Sequence, residues 1–213
     1  MVELPDELTY KDGAQVACGF GTVYEAIEKI GICGNDAVLV VGLGPVGLAA
    51  LMLAKALGAD KLIGIEMNDY RIDLAKKLGL ADHVFKPGDN ALEEILAVTG
   101  GKGVERAIDA SANDAGRQLA IRATREWGKI AFVGEGGTCT FQPSPDIIHG
   151  QKTIYGSWVT SLWRMEELVE RLVRWGIHPE DLITHEFPIE KADEAYRLMA
   201  QGQCGKVAVT FPD

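Results

Sequence analysis

The sequence has few cysteines, no long apolar run and no excess of positive charge. Its four cysteines, Cys18, Cys33, Cys139 and Cys204, lie far apart and form no CxxC pair. Scattered cysteines of this kind indicate free thiols and a reducing cytosol, so the expected location is cytoplasmic. No stretch approaches the roughly 20 unbroken apolar residues of a membrane span. The start of the chain also lacks the basic lead and apolar core of an export signal, so no membrane partner is expected.

The balance of charge argues against a nucleic-acid partner. Lysine and arginine number 21 and aspartate and glutamate 31, which gives a formal net charge of −10 at pH 7. Binding a phosphate backbone requires clustered basic side chains, which such an acidic chain is poorly suited to supply. With 213 residues, 47% of them apolar and 24% charged, the composition is that of a soluble globular protein with one large domain or two small ones.

Short apolar runs alternate with helical patterns through the middle of the chain. The run 37–41 is continuously apolar and largely β-branched, as expected for a strand covered on both faces of a parallel sheet. Further strands are predicted at 61–66, 81–85, 104–110, 128–134 and 152–158. Helices are predicted from the loop after the first strand to Leu57 and at 68–79, 90–101, 113–124 and 162–175, with Asn68 as the N-cap of the second. This alternation predicts right-handed βαβ crossovers and a doubly wound α/β fold with a six-stranded parallel sheet.

Two flanking pieces do not follow the strand–helix repeat. The first comprises residues 1–34 and has a helical pattern near 21–30. The second comprises residues 178–213 and has a helix near 191–200 and a final strand at 206–211. The repeat itself therefore occupies residues 35–177.

A glycine-rich loop, Gly-Leu-Gly-Pro-Val-Gly at 42–47, directly follows the first predicted strand. Gly42 and Gly44 allow a sharp turn and the approach of a pyrophosphate to the backbone, and Gly47 allows the helix to pack closely on the strand. Pro45 suits the first helical turn, where its missing N–H costs little. The free amides at the helix start and the positive end of the helix dipole attract an anion. This context predicts a dinucleotide-binding Rossmann domain.

An acidic residue, Glu66, ends the second predicted strand. A carboxylate at this position accepts hydrogen bonds from a ribose diol and repels a 2′-phosphate, which favours NAD over NADP. Arg71 weakens this preference for NAD, because a guanidinium nearby tolerates the 2′-phosphate of NADP. Two alternatives remain: a tight strand–helix turn with a solvated Glu66, and a methyltransferase-type nucleotide site.

Four stretches, taken in their order and spacing, resemble the zinc-dependent medium-chain alcohol dehydrogenases (medium-chain dehydrogenase/reductase superfamily). They are 17–24, 40–48, 181–185 and 205–211, and the resemblance extends over nearly the whole chain. It implies an interdomain segment at 1–34, an NAD-binding domain at 35–177, and at 178–213 a helix and strand that return to an N-terminal GroES-like catalytic domain. Most of that domain is missing from the sequence. The stretch 4–8 resembles an interior part of longer relatives, so a truncated chain is expected.

The resemblance also implies a metal ligand. Cys18 matches one of about three zinc ligands, and the others would lie upstream of Met1, so zinc is expected only in the full-length enzyme. The histidines are not expected to replace them, because scattered histidines are typically surface or satisfied core residues; they are His83, His149, His178 and His185. Without the resemblance, Cys18 would be interpreted as a small buried apolar residue.

Other positions carry over from the family by motif. Thr22 is the expected catalytic-site residue, packing with Val46 behind the nicotinamide. Residues Asp109 to Ser111 match the edge of the adenosine pocket, whereas Val133 and Ser157 match contacts to the nicotinamide amide. The complete expected cofactor-binding set is Gly42, Gly44, Pro45, Val46, Gly47, Glu66, Arg71, Ala110, Ser111, Val133, Ser157 and Lys206. Within it Arg71 matches a basic residue beside the adenosine ribose and Lys206 one that reaches the pyrophosphate, and simple core packing remains the alternative for Val46 and Val133.

The implied function is the NAD-binding part of an alcohol or polyol dehydrogenase, in which zinc polarises the substrate hydroxyl and a hydride passes to the nicotinamide. A small alcohol or polyol is the expected substrate, a homo-oligomer (dimer or tetramer) the expected assembly, and the chain alone is expected to be inactive. One alternative is a stand-alone dinucleotide-binding module or split-enzyme subunit. The other is a zinc-independent quinone or enone reductase of the same superfamily, against which Cys18 counts.

Overall fold

The computed structural model describes residues 1–212, and its centre is a six-stranded parallel sheet. The strands of this sheet are β1 (Ala37–Val41), β2 (Lys61–Ile65), β3 (His83–Phe85), β4 (Val104–Asp109), β5 (Thr124–Phe132) and β6 (Thr153–Gly156). The helices are α1 (Tyr10–Gln15), α2 (Gly21–Ile30), α3 (Pro45–Ala56), α4 (Asp69–Lys77), α5 (Ala91–Val98), α6 (Asp114–Ala123), α7 (Leu162–Trp175) and α8 (Ala192–Gln201). A separate pair of parallel strands is formed by β7 (Ile183–Pro188) and β8 (Lys206–Thr210).

The strand order is β3-β2-β1-β4-β5-β6, and every neighbouring pair is parallel. The chain winds outward from β1 to β3, returns to the centre, and winds outward in the opposite direction from β4 to β6. The direction of winding therefore reverses between β1 and β4, and the crevice outside their carboxyl ends is where ligands bind in such sheets. The predicted doubly wound α/β fold with six strands is confirmed.

Alternating residues of β1 pack against helices on the two faces of the sheet. Val38 and Val40 belong to one apolar cluster, with α2, α3 and α7, whereas Leu39 and Val41 belong to the other, with α5 and α6. All four side chains are at most 3% exposed, and burying each contributes about 1.5–3 kcal/mol. The continuous apolar run in the sequence reflects this burial on both faces.

Short-range capping determines where several helices begin. The Asn68 side chain accepts a hydrogen bond from the amide of Tyr70 at 3.0 Å and starts α4, as the sequence predicted. Asn113 caps α6 in the same way, accepting from the amide of Ala115 at 3.0 Å. Such caps stabilise a helix by about 1 kcal/mol each. Both capped helix starts lie at the carboxyl edge of the sheet.

Three elements differ from the sequence prediction. β5 begins at Thr124 rather than 128, because an irregularity that includes Trp127, with a φ of 60°, separates two registers with β4. The six-residue helix α1 was not predicted; it depends on a capping box formed by Thr9 and Asp12. β7 was not predicted either, since it is only half-buried and has no strand partner but β8 among residues 1–212.

The two flanking pieces contact each other. The buried Asp12 carboxylate of α1 accepts a hydrogen bond from the amide of Glu180 at 2.8 Å and lies 2.9 Å from Nδ1 of His178. Gln15 donates to the carbonyl of Pro179 at 2.7 Å. The division into 1–34, 35–177 and 178–213 stays a prediction. None of the helices within residues 1–212 has the length and apolar character that crossing a membrane requires.

Candidate coenzyme-binding site

A cavity of about 920 Å³ opens at the carboxyl ends of β1, β2 and β4, on the β2 side of the point where the winding reverses. This volume lies within the range of pockets that hold small molecules and cofactors. Six of the residues expected from the sequence line it, namely Gly42, Gly44, Glu66, Arg71, Ala110 and Ser111. The sheet topology brings them together because the ends of parallel strands meet at one edge.

The three glycines of the loop after β1 have different roles. Gly42 has a φ of +88°, and a Cβ there would lie 2.9 Å from the Cα of Ser111. A Cβ on Gly47 would overlap the carbonyl oxygen of Gly42. Gly44 is different, since an added Cβ would meet nothing closer than Nη1 of Arg71, at 3.5 Å. The fold therefore needs Gly42 and Gly47, whereas Gly44 leaves an open approach to the backbone.

The Glu66 carboxylate is held by three backbone amides. One oxygen accepts from Leu43 at 2.8 Å, and the other accepts from Met67 at 2.8 Å and from Asn68 at 2.9 Å. The residue is only 6% exposed. Since a carboxylate has about four acceptor positions, roughly one remains for a ribose hydroxyl. Glu66 thus braces the glycine loop against the start of α4, a role that the sequence did not reveal.

Arg71 lies on α4 between the glycine loop and the end of α8. Its guanidinium is the nearest group to a Cβ built on Gly44, at 3.5 Å, and lies 3.6 Å from a Cβ built on Gly202. The Nε atom is buried and has no hydrogen-bond partner within residues 1–212. A buried donor without a partner costs about 1–3 kcal/mol, so an anion bound beside Gly44 would be favourable.

The ends of β5 and β6 carry Val133 and Ser157 outside this cavity. The amide of Val133 donates to the carbonyl of Asp109 at 2.9 Å, and that of Ser157 donates to the carbonyl of Phe132 at 3.0 Å. Both residues are buried, at 9% and 5% exposed. The hydroxyl of Ser157 accepts from the ammonium of Lys29 on α2 at 3.3 Å. Because β5 and β6 are neighbouring strands, their ends bring these two residues together, on the β4 side of the point where the winding reverses.

The remaining expected residues lie along α2, α3 and β8. Thr22 is buried in α2, and its hydroxyl has no hydrogen-bond partner within residues 1–212. Pro45 begins α3, and Val46 follows it, half-buried against the core. Lys206 begins β8 and does not line the cavity. Cys18 is exposed on a π-helical turn, Val16–Phe20, directly before α2.

Residues 1–212 do not form a zinc site around Cys18. Within this range, one group of three side chains is close enough to share a metal, and it comprises Asp12, His178 and Glu180 without Cys18. Asp12 already accepts from the amides of Thr9, at 3.0 Å, and Glu180. A catalytic zinc needs about three protein ligands, and Cys18 alone does not meet that requirement.

Some cavity-lining residues were missed by sequence reasoning. They are contributed by the segment after β2, the loop after β3, the start of α5 and both ends of α6, and they include Met67, Asn68, Pro87, Gly88, Asp89, Leu92, Asn113, Gly116 and Arg122. The Pro-Gly pair directly after a predicted strand is a turn signal that could have located the loop after β3. The others become neighbours only through the strand order.

Residues 45–174 match the family model described as zinc-binding dehydrogenase. The chain belongs to this family. It is 47% identical over 213 residues to the uncharacterized zinc-type alcohol dehydrogenase-like protein YphC of Escherichia coli strain K12, a match that covers all of this chain and 60% of that protein. It is 31% identical over 217 residues to an L-threonine 3-dehydrogenase of Bacillus licheniformis, covering 98% of this chain and 62% of that enzyme.

The fold of this zinc-binding dehydrogenase chain also matches solved structures. One is a short chain alcohol dehydrogenase from Escherichia coli CFT073 complexed with the cofactor NADH, with a TM-score of 0.87 and 24% identity. That match covers 98% of this chain and 62% of the other. The chain therefore spans about 60% of the length of these relatives.

Proposed function

We propose that this chain binds NAD at the loop after β1 and forms the coenzyme-binding part of an alcohol or polyol dehydrogenase. The observation that carries the proposal is the open backbone at Gly44, which faces a cavity of about 920 Å³ between Glu66 and Arg71. The loop has the geometry that a diphosphate requires, and it lies at the reversal of winding where dinucleotides bind in this fold class. NADH in one structural neighbour supports the choice of coenzyme.

The coenzyme diphosphate would lie over the start of α3. The twelve residues of α3 begin with Pro45, and the peptide groups at that end carry partial positive charge. Arg71 adds a full positive charge beside Gly44 and has a buried donor free for an anion oxygen. Lys206 would contribute only if β8 moved closer, because it lies outside the cavity.

The two nucleoside halves would extend in opposite directions along the sheet edge. The adenosine half would lie over β2, where Glu66 has about one acceptor position left for a ribose hydroxyl. Ala110 and Ser111 would border this half at the end of β4. The nicotinamide half would lie over β4, β5 and β6, near Val133 and Ser157, with Thr22 and Val46 behind it.

Bound NAD supplies a hydride acceptor at the nicotinamide. The residues of this chain would hold the diphosphate, fix the ribose and orient the nicotinamide face. Cys18 would provide one thiolate toward zinc in a longer protein, and this chain alone would turn over alcohols negligibly. A small alcohol or polyol substrate, a homo-oligomeric state and a cytoplasmic location belong to the same proposal.

Calorimetric titration of the purified chain tests coenzyme binding directly. We expect binding of NAD and NADH at up to millimolar concentrations, and weaker binding of NADP because Glu66 excludes a 2′-phosphate. Absence of heat with both NAD and NADH would contradict the proposal. Robust alcohol oxidation that chelators abolish would instead contradict the expectation of negligible turnover.

A split-enzyme subunit is a second candidate, and one observation favours it. Large apolar side chains are exposed together in and after the loop that follows β6, with Trp158 at 64%, Leu162 at 62% and Trp163 at 71% exposed. Exposed apolar patches of this kind commonly bind another protein surface. Mass measurement of the native assembly distinguishes the candidates, since a stoichiometric second polypeptide supports the split enzyme and copies of this chain alone argue against it.

A further inference from the structure

Arg117, on α6, is a buried arginine that joins three segments at the carboxyl edge of the sheet. It is 8% exposed. Its Nε donates to the Asp109 carboxylate at 3.2 Å, its Nη1 to the carbonyl of Thr138 at 3.1 Å, and its Nη2 to the carbonyl of Gly134 at 2.7 Å. Asp109 is the last residue of β4, and both carbonyls belong to the loop that follows β5. A single side chain thus holds one strand end and one loop together.

The carboxylate partner of Arg117 also accepts hydrogen bonds from another residue. The other oxygen of Asp109 accepts from the amide of Ser111 at 3.1 Å and from its hydroxyl at 2.6 Å. Asp109 is completely buried, and the guanidinium carbon of Arg117 also lies 5.4 Å from the ring centre of Phe132. Removing the arginine would therefore leave a buried carboxylate without its counter-charge.

The loop held by Arg117, residues 134–138, packs backbone against backbone on the turn between β4 and α6. A Cβ on Gly134 would lie 2.5 Å from the amide nitrogen of Ala112, and a Cβ on Gly137 would overlap the carbonyl oxygen of the same residue. Gly136 and Gly137 have φ values of 83° and 65°. Successive glycines give the loop little conformational preference of its own. Its position therefore depends on contacts with neighbouring segments, among them the two Arg117 hydrogen bonds and one from the Gly134 amide to the carbonyl of Asp109 at 3.0 Å.

The position of loop 134–138 relative to the coenzyme follows from the strand order. The glycine loop after β1 would hold the diphosphate, and Glu66 at the end of β2 defines the adenosine side. The loop after β5 lies on the opposite side, two strands from β1. It would therefore border the nicotinamide half, although the turn on which it packs also carries Ala110 and Ser111 of the adenosine side.

We propose that Arg117 is a positioning residue for the nicotinamide half of the coenzyme site. It holds loop 134–138, next to Val133, against the turn after β4. The inference rests on the proposed binding of NAD. It predicts a larger effect on the nicotinamide half than on the adenosine half, which a general loss of stability would not produce.

The test compares NADH with ADP-ribose, which has the adenosine, the diphosphate and the second ribose but no nicotinamide. In Arg117→Lys, one ammonium replaces a guanidinium that donates in three directions, so the charge stays and the loop contacts are reduced. In Arg117→Leu, both are lost. We expect the dissociation constant for NADH to rise about tenfold in Arg117→Leu and by a smaller factor in Arg117→Lys. The dissociation constant for ADP-ribose should rise by a smaller factor, since Arg117 reaches the adenosine half through Asp109 and Ser111.

Arg125→Leu is the matched control. Arg125 forms an ion pair with Glu105 at 2.6 Å, and this pair also joins β5 to β4, but at the amino end of the strands. Its removal should leave the affinities for both ligands unchanged. If Arg117→Leu does not fold, Arg117→Lys decides the question.

The outcomes separate this inference from the proposed function. An equal loss of affinity for NADH and ADP-ribose, or no loss for either, would overturn the role of Arg117. Equal affinity of the unmodified chain for the two ligands would also overturn it, because the nicotinamide would then make no contact, although NAD binding would stand. Failure of the unmodified chain to bind either ligand would instead refute the proposed function.

Discussion

The glycine loop after β1 and the turn that carries Cys18 differ in how much of a site each contains. Around the glycine loop, the ends of β1, β2 and β4 enclose a cavity of about 920 Å³, and both Glu66 and Arg71 line it. The thiol of Cys18, by contrast, is exposed on a π-helical turn, and it is not part of the group of potential metal ligands found within residues 1–212.

The difference follows from how the two kinds of site are assembled. A coenzyme site of this type is built from strand ends of one sheet, so one continuous stretch of chain supplies almost all of it. A catalytic zinc requires about three side chains with fixed geometry, and within residues 1–212 no such group includes Cys18. Changes near the glycine loop should therefore have large effects, and changes at Cys18 small ones.

Substitutions in the glycine loop should have the largest effect. Gly47→Ala would place a Cβ on the carbonyl oxygen of Gly42, so the start of α3 must shift, and we expect a loss of about 2–4 kcal/mol in the free energy of unfolding. Gly44→Ala is the control, because its Cβ would meet only the movable side chain of Arg71. It should remain within about 1 kcal/mol of the unmodified chain while NAD binding weakens about tenfold or more.

Chemical denaturation monitored by circular dichroism measures the first effect, and calorimetry with NAD the second. If Gly44→Ala destabilised the fold as much as Gly47→Ala, the division of roles within the loop would be wrong. If Gly44→Ala bound NAD normally, the open backbone would not be the binding surface.

Glu66→Gln should have an intermediate effect on both stability and coenzyme choice. The glutamine NH₂ would replace one carboxylate oxygen, and because it cannot accept a hydrogen bond, at least one of the three backbone contacts would be lost. We therefore expect a loss of about 1–3 kcal/mol in the free energy of unfolding. Removal of the negative charge should also reduce the preference for NAD over NADP. Dissociation constants for the two coenzymes, measured at the same salt concentration, give the ratio, and an unchanged ratio would exclude Glu66 as the selecting group.

The contact between Asp12 and His178 should make a small, pH-dependent contribution to stability. The hydrogen bond to Asp12 raises the pKa of His178 above 6.5. Burial raises the pKa of Asp12, but hydrogen bonds from the amides of Glu180 and Thr9 and from His178 outweigh it, so that the pKa is lowered below 3.8. The histidine contribution is therefore complete below pH 6.5 and is lost as the pH rises through the folded-state pKa, whereas the aspartate contribution is lost only at strongly acidic pH.

His178→Gln should remove the histidine contribution to stability. The His178 side chain is 41% exposed, so solvent screening limits the difference in the free energy of unfolding to below about 1 kcal/mol. Denaturant titrations of the unmodified chain and of His178→Gln at about pH 5.5 and about pH 8.5 measure this difference in the free energy of unfolding. The difference between the two proteins should shrink toward alkaline pH, and a difference that grows instead would show that protonated His178 does not stabilise the fold.

Cys18→Ser should have the smallest effect. We expect no change in NAD affinity or in the zinc content of the purified chain, because Cys18 is exposed and belongs to no group of three potential metal ligands in the described residues. Elemental analysis and calorimetry measure both quantities. If the unmodified chain held one zinc ion per molecule and Cys18→Ser lost it, this chain would contain a full set of zinc ligands. The Cys18 region would then be as complete a site as the glycine loop.

Local sequence was sufficient to predict much of the fold and the glycine-loop part of the site. The β-branched run 37–41, the loop 42–47 and the cap Asn68 all act within about four residues, and the structure contains each where the pattern indicated. β5 was placed too late because its first part depends on an irregular pairing with β4. β7 was missed because it is only half-buried and so lacks the continuous apolar run that marks the strands of the main sheet.

The order of alternating strands and helices, the turn at 42–47 and the acid after β2 were all determined by the amino-acid sequence itself, because backbone period, steric freedom at glycine and capping are short-range effects. The tertiary structure alone decided that Glu66 would brace an amide 23 residues away, that Arg117 would hold carbonyls 17 and 21 residues away, and that Asp12 would meet His178 across 166 residues. Packing of the strands buries certain polar groups, and these buried groups then require hydrogen-bond partners. That requirement arises only after the sheet has formed.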